Sequence, residues 1–173
     1  MEFEEKQRLN LWWLYILLMA DAIIVACIVL FDKGGMSFQD LKDIYFAPIW
    51  AVLFPFVLIF AIQKSTLTLS INQNGISYRY FPFILKLRLI SWDSIQSVYI
   101  TKFNALGDYG GYGFKHRLWF NFRDKAYILN DQSKGLQIEF NDGKKLLFSS
   151  NKIEEMELFL INLKTRYHIQ AIS

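Results

Sequence analysis

The sequence predicts an α+β chain: a helical hairpin of membrane-crossing length, about seven antiparallel strands, and one amphipathic helix at the C-terminal end. Three observations predict it. Two long apolar runs, Leu11 to Phe31 and Ile44 to Ile62, lie in the first third of the sequence. From Lys64 onward the pattern changes to short alternating runs split by turn residues. The final segment spaces its apolar residues by three and four. The composition agrees: 53% of the 173 residues are apolar and the mean hydropathy is +0.19, which leans toward the membrane class.

The first run, LWWLYILLMADAIIVACIVLF, carries a single charge, Asp21. About 20 residues at about 1.5 Å each cover the hydrocarbon core of a bilayer. Trp12, Trp13 and Tyr15 sit at one end, where interfacial aromatics belong. The second run, IYFAPIWAVLFPFVLIFAI, has no charge and holds Pro48 and Pro55, which should kink or loosen it. The link between them, Asp32 to Asp43, is short and polar. Residues 1–63 therefore read as a transmembrane hairpin and residues 64–173 as a second domain. The stretch Ile24 to Cys27, IVAC, has the look of a lipoprotein cleavage box. Asp21 and the apolar residues beyond Cys27 favour a plain membrane helix instead. Lys6 and Arg8 before the first span, with Lys64 and Arg79 after the second, outnumber Lys33 and Lys42 in the link, so both termini are expected in the cytoplasm.

The strands are then taken in chain order. STLTLSI (Ser65–Ile71) and ISYRYF (Ile76–Phe81) flank Asn74-Gly75, a hairpin signal. KLRLISW (Lys86–Trp92) and IQSVYITK (Ile95–Lys102) alternate as half-buried strands do. LWFNF (Leu118–Phe122) and AYIL (Ala126–Leu129) are short strands. GLQIEF (Gly135–Phe140) and KKLLFS (Lys144–Ser149) form the last hairpin around Asn141-Asp142-Gly143, residues that tolerate positive φ. The helix after them turns Ile153, Met156, Phe159, Leu160 and Leu163 to one side. Asn151 and Glu154 suit a reciprocal cap at its start, and Lys164, Arg166 and His168 suit the dipole at its end.

About seven strands closed by one helix, carried on NQNGISYRYFPF, ISWDSIQSVYI, GGYGF, AYI and KGLQIEFNDGKKLLF, resemble the pleckstrin-homology (PH) domain. With the hairpin in front, the chain resembles the small bacterial membrane proteins that place a PH-like domain after two transmembrane helices. The resemblance spans nearly the whole chain. It implies a PH-like antiparallel β-barrel capped by the C-terminal helix, at the bacterial inner membrane, and implies no reaction. Members often carry Gly-Thr after the last strand; Ser149-Ser150 stands there in this chain, so no role is carried to that position.

Gly111-Tyr112-Gly113 repeats three letters of a potassium-channel filter. It lies about 48 residues beyond the second span, in strand-rich sequence, whereas a filter must sit at membrane depth. A dinucleotide loop needs a helix after its glycines, and the residues after these glycines read as a basic strand. The remaining reading is a glycine-rich inter-strand loop. Gly110, Gly111 and Gly113 could offer N–H donors to an anion beside Lys115, Arg117, Arg123 and Lys125. In the PH resemblance, headgroup phosphates bind basic inter-strand loops of this kind. A solvated basic face close to anionic lipid is the plainer reading, and strand alternation would send His116 away from Lys115 and Arg117.

Asp21 is costly at the centre of a span, about 2.5–3.5 kcal/mol on insertion scales, and marks a helix–helix or oligomer contact. His116 and His168 are isolated, and Cys27, the one cysteine, lies in a span. Neither a catalytic constellation nor metal-ligand spacing emerges, and no cofactor is implied. From Lys64 onward 15 Lys and Arg face 9 Asp and Glu, against 4 and 7 before it. The basic half suits membrane lipid better than nucleic acid, because its aromatics fall on alternating, core-facing positions. The expected function is non-catalytic binding or scaffolding, through lipid headgroups, a protein partner or a homo-oligomer. The alternative is an accessory subunit of a transport or export assembly.

Overall fold

The computed structural model describes residues 1–9, 11–31, 37–118, 121–130 and 132–173. The chain divides into two units: residues 10–64, and residues 1–9 with 65–173.

In the helical unit, α1 (Trp12–Phe31) and α3 (Ala47–Lys64) pack on each other, joined through the short α2 (Phe38–Asp43). Both long helices are apolar enough to cross a membrane, with mean hydropathies of 2.7 and 1.8. Most of their apolar side chains are exposed and the rest half-buried; Ala22 of α1 and Pro55 of α3 are the buried ones. An apolar surface of this kind is what a bilayer covers. Pro48 stands in the first turn of α3, where its missing N–H breaks no helical bond, whereas Pro55 lies in the interior. Residues 32–36 of the polar link lie outside the described residues.

The other unit holds nine strands among its described residues, in two sheets. Strands β1 (Glu2–Arg8), β2 (Thr66–Asn72), β3 (Gly75–Phe81) and β4 (Arg88–Ser91) lie in that order, all antiparallel. A single 3₁₀ turn, Trp92–Ser94, carries the chain into the second sheet. There β5 (Ile95–Lys102), β6 (Gly113–Arg117), β7 (Asn121–Ile128), β8 (Lys134–Phe140) and β9 (Lys145–Ser149) are ordered β5-β8-β9-β7-β6. The pair β7–β9 is parallel; the other pairs are antiparallel. The α+β class holds, but the expected barrel does not: the sheets stay open. The strands at their borders pair on one side only, and the outer border of β5 is taken by the C-terminal segment, which bonds to both the N–H and the C=O of Val98. The count also exceeds the expected seven.

The largest departure is β1. It precedes α1, yet it pairs along its whole length with β2, from Glu2↔Asn72 to Arg8↔Thr66, and Leu9 N–H continues the ladder to Ser65 C=O at 3.3 Å. The helical unit is thus inserted between two neighbouring strands of one sheet. The expected boundary at residue 63/64 therefore omits residues 1–9, which fold with the β unit.

The two sheets face each other across an aromatic core. Tyr78 of β3 meets Tyr127 and Phe148 of the second sheet at ring separations of 5.5 and 5.1 Å, and Tyr127 stacks on Phe148 at 5.4 Å. Leu67, Leu69 and Ile71 point inward from β2 at every second residue, as the pleat requires. Helix α5 (Ile153–Tyr167) buries Met156, Leu160 and Leu163, and its Phe159 meets Phe3 of β1. The β2–β3 hairpin forms one residue earlier than its signal suggests: Gln73-Asn74 make the turn and Gly75 begins β3. At Gly75 φ is 146°, and a Cβ would fall 2.1 Å from the Ile90 carbonyl oxygen, so the approach of β4 requires glycine here. The expected cap of α5 is absent. The helix starts at Ile153 without a side-chain cap, and Asn151 N–H donates instead to Glu5 of β1.

Candidate functional site

The glycine-rich stretch comes after a short helix, α4 (Ala105–Tyr109), where the sequence pattern predicts only loop. Asn104 Oδ1 accepts from Leu106 N–H and Gly107 N–H, and Asp108 accepts from Asn104 N–H, so the first turn is capped by its own side chains. Gly110 ends the helix in the left-handed conformation at φ 71°. Its N–H donates to Leu106 C=O and that of Gly111 to Ala105 C=O, so these two donors are spent inside the turn. Gly113 opens β6 opposite Ile128. The glycines therefore end a helix and launch a strand.

The four candidate cations do not converge. Partners across β6–β7 share a face, which places Lys115 with Ala126, and His116 with Lys125 on the other side. Arg117 is engaged internally: its guanidinium reaches Asp124 at 3.2 Å and Asp108 at 3.8 Å. Asp124 is buried and also accepts from Tyr109 O–H at 3.1 Å. The hydrogen bond to Asp124 raises the Arg117 pKa. Burial, with Asp124 next to it, raises that of Tyr109. This triad ties α4 to the β6–β7 hairpin. Arg123 donates to Asp142 C=O at 3.0 Å, at the β8–β9 turn. Lys115 is half-buried and Lys125 exposed. The expected strand Leu118–Phe122 spans Trp119 and Phe120, which lie outside the described residues. Strand β6 instead begins at Gly113 and β7 at Asn121.

On the opposite face His116 packs edge-on between Phe114 and Phe122, at 5.2 and 5.6 Å. Phe114 meets Tyr127, Tyr127 meets Tyr80, and Tyr80 stacks on Phe83 at 5.5 Å. An aromatic series thus runs from the core to the β3–β4 loop.

Elsewhere on the β unit, Tyr99 O–H and Lys145 Nζ both donate to Glu139. The Lys145 bond, then that of Tyr99, holds the Glu139 carboxyl below its ordinary range. A polar groove of about 490 Å³ opens between the β2–β3 turn and the C-terminal segment, lined by Asn74, Trp92, Asp93 and His168 among others. Among the described residues no group of three or more His, Cys, Asp or Glu gathers in a way that could hold a metal ion. In the helical unit, Asp21 is exposed on α1 beside buried Ala22, and Trp50 of α3 is exposed as well.

One buried polar cluster has no signature in the sequence pattern. Gln7 donates to Ser149 C=O at 2.6 Å and accepts from Asn130 at 3.1 Å. Glu5 accepts from Ser150 O–H at 2.6 Å and from Asn151 N–H at 2.8 Å. The serine pair at the end of β9 is therefore the seat of β1. Compared with protein-family models and with curated proteins, the chain finds no match.

Proposed function

We propose that the chain is a membrane-anchored PH-like binding or scaffolding protein without catalytic activity, held in the bacterial inner membrane with both termini in the cytoplasm. Its β unit contacts anionic lipid headgroups or a protein partner. The observation that carries this reading is the insertion of two apolar helices between the paired strands β1 and β2. That connectivity puts the chain on both sides of the hairpin into one folded unit, on one side of any membrane the helices cross. The β unit carries a basic excess, and each Lys or Arg that comes near an anionic surface contributes about 1 kcal/mol. Lys115 and Lys125 are the candidate cations that no acid side chain or carbonyl engages among the described residues. In lipid nanodiscs, hydrogen exchange across β6–β7 should be slower with phosphatidylglycerol than with phosphatidylcholine alone. Added salt, or Lys115→Ala with Lys125→Ala, should abolish the difference. Equal exchange in the two lipids removes the headgroup arm. Crosslinking in native membranes tests the partner arm.

A second reading, an accessory subunit of a transport or export assembly, is favoured by Asp21. This carboxyl is exposed on an otherwise apolar helix, so a partner helix or second copy would have to cover it in lipid. Asp21→Leu should then change the crosslinked species recovered from membranes; an unchanged pattern removes this reading.

A further inference from the structure

We propose that the β3–β4 loop, Pro82 to Leu87, is an interfacial anchor that dips into the headgroup and upper acyl region of the bilayer the two helices cross. The inference rests on the membrane reading above but concerns a segment that reading does not use. Phe83, Leu85 and Leu87 are 73, 66 and 61% exposed. Exposed large apolar side chains in one short loop form a patch that calls for a cover.

Connectivity decides what the cover is. Arg8, Thr66 and Phe81 sit side by side in β1, β2 and β3. Arg8 is four residues before α1, and Thr66 two residues after α3. A chain segment of two residues spans at most about 7 Å. The end of the sheet that carries Phe81 is therefore the end tethered to the helices, and Pro82 continues from it. The opposite end, with the Gln73-Asn74 turn, lies a full strand length away, about 20 Å.

Charge runs along the same axis. On the outward face of β1, Glu2 and Glu4 occupy the far end and Lys6 and Arg8 the tethered end. Arg79 shares the Lys6 row, opposite Thr68. Lys86 interrupts the apolar residues of the loop and Arg88 opens β4 directly after it, and both are exposed. Apolar side chains interleaved with cations, at the tethered end of a sheet, match the two layers of an anionic membrane surface: acyl chain beneath, phosphate above. Phe83 stacks on Tyr80, so the loop has a fixed footing on the core.

The test uses the full chain with Cys27→Ser, reconstituted in vesicles of phosphatidylethanolamine and phosphatidylglycerol. An environment-sensitive fluorophore is placed on Leu85→Cys, on Asn74→Cys at the far end, or on Val57→Cys within α3. The label at position 85 should emit to the blue of that at 74, lose its quenching by aqueous iodide, and be quenched by brominated lipid. Lipid quenching at 57 but not at 85 overturns the anchor while leaving the membrane reading in place. Absence of lipid quenching at both positions overturns the two together. Protection of 85 from iodide without quenching by lipid assigns the loop to a protein contact, such as a second copy, and also overturns the anchor.

Discussion

Phe148→Ala should destabilise the β unit by about 3–5 kcal/mol, the range for emptying a fully buried aromatic site. Phe148 has no exposed surface, and its ring lies against Tyr78 and Tyr127 where the two sheets meet. Its neighbours cannot collapse into the gap, because each belongs to a strand held in register: Tyr78 by β2, Tyr127 and Phe148 by each other's strands. Loss of the ring leaves a cavity between sheets and also removes two aromatic contacts. Thermal unfolding of the detergent-solubilised chain, monitored by circular dichroism, measures the change. Leu158→Ala, on the exposed side of α5, should stay within about 0.5 kcal/mol of the parent. A Phe148→Ala chain as stable as that control would mean that the two sheets do not pack through this ring.

Most elements around that core are legible in the sequence, for a physical reason that also marks the failures. Strand β2 alternates cleanly, and β3, β8 and β9 are short apolar-rich runs bounded by Asn, Asp and Gly, so local turn chemistry and burial point the same way. Helix α5 has a single apolar stripe. Strand β1 has no such signal: its inward positions are Phe3, Glu5 and Gln7, two of them polar, so hydrophobic alternation fails in the very strand where pairing succeeds. Helix α4 is five residues long and contains Gly107, too short for any period to show. Closure of the sheets depends on which edges meet, and that is a property of distant segments.

The candidate site is legible only as composition. Lys115, Arg117, Arg123 and Lys125 are close in sequence, but the pleat sends neighbours to opposite faces and Asp124 claims Arg117. The sequence does carry one sign of this: Asp124 shares its parity with Ala126 and Ile128, so a carboxylate is bound for the interior and needs a partner. The β3–β4 segment misleads in the other direction. The alternation of Lys86–Trp92 reads as a half-buried strand, yet β4 covers only Arg88–Ser91, and Leu87 and Leu89 are exposed. Periodicity reports that a face is apolar, not what covers it.

Glu5→Ala should cost about 1–3 kcal/mol, the range for a buried donor left without an acceptor. The buried Ser150 hydroxyl loses its acceptor, and the Asn151 N–H, on an exposed residue, loses a part-buried bond to the same carboxyl. Glu5→Gln keeps one acceptor oxygen and should lose less. Glu4→Ala, one residue away and pointing outward, should change stability by no more than about 0.5 kcal/mol. The same unfolding measurement ranks the three, and equal effects at positions 4 and 5 would contradict the inward placement of Glu5. The ranking bears on topology as well as stability. Glu5 and Gln7 precede the first apolar helix, and their partners Ser149, Ser150 and Asn151 lie more than 140 residues later, beyond the second. A chain cut at Cys27 would lose β1, leave β2 as an uncovered edge, and take from Ser149 and Ser150 their bonds to Gln7 and Glu5. A large cost at Glu5 therefore measures how much the β unit depends on the strand before the first helix, in a hairpin whose two ends are fastened into a single sheet.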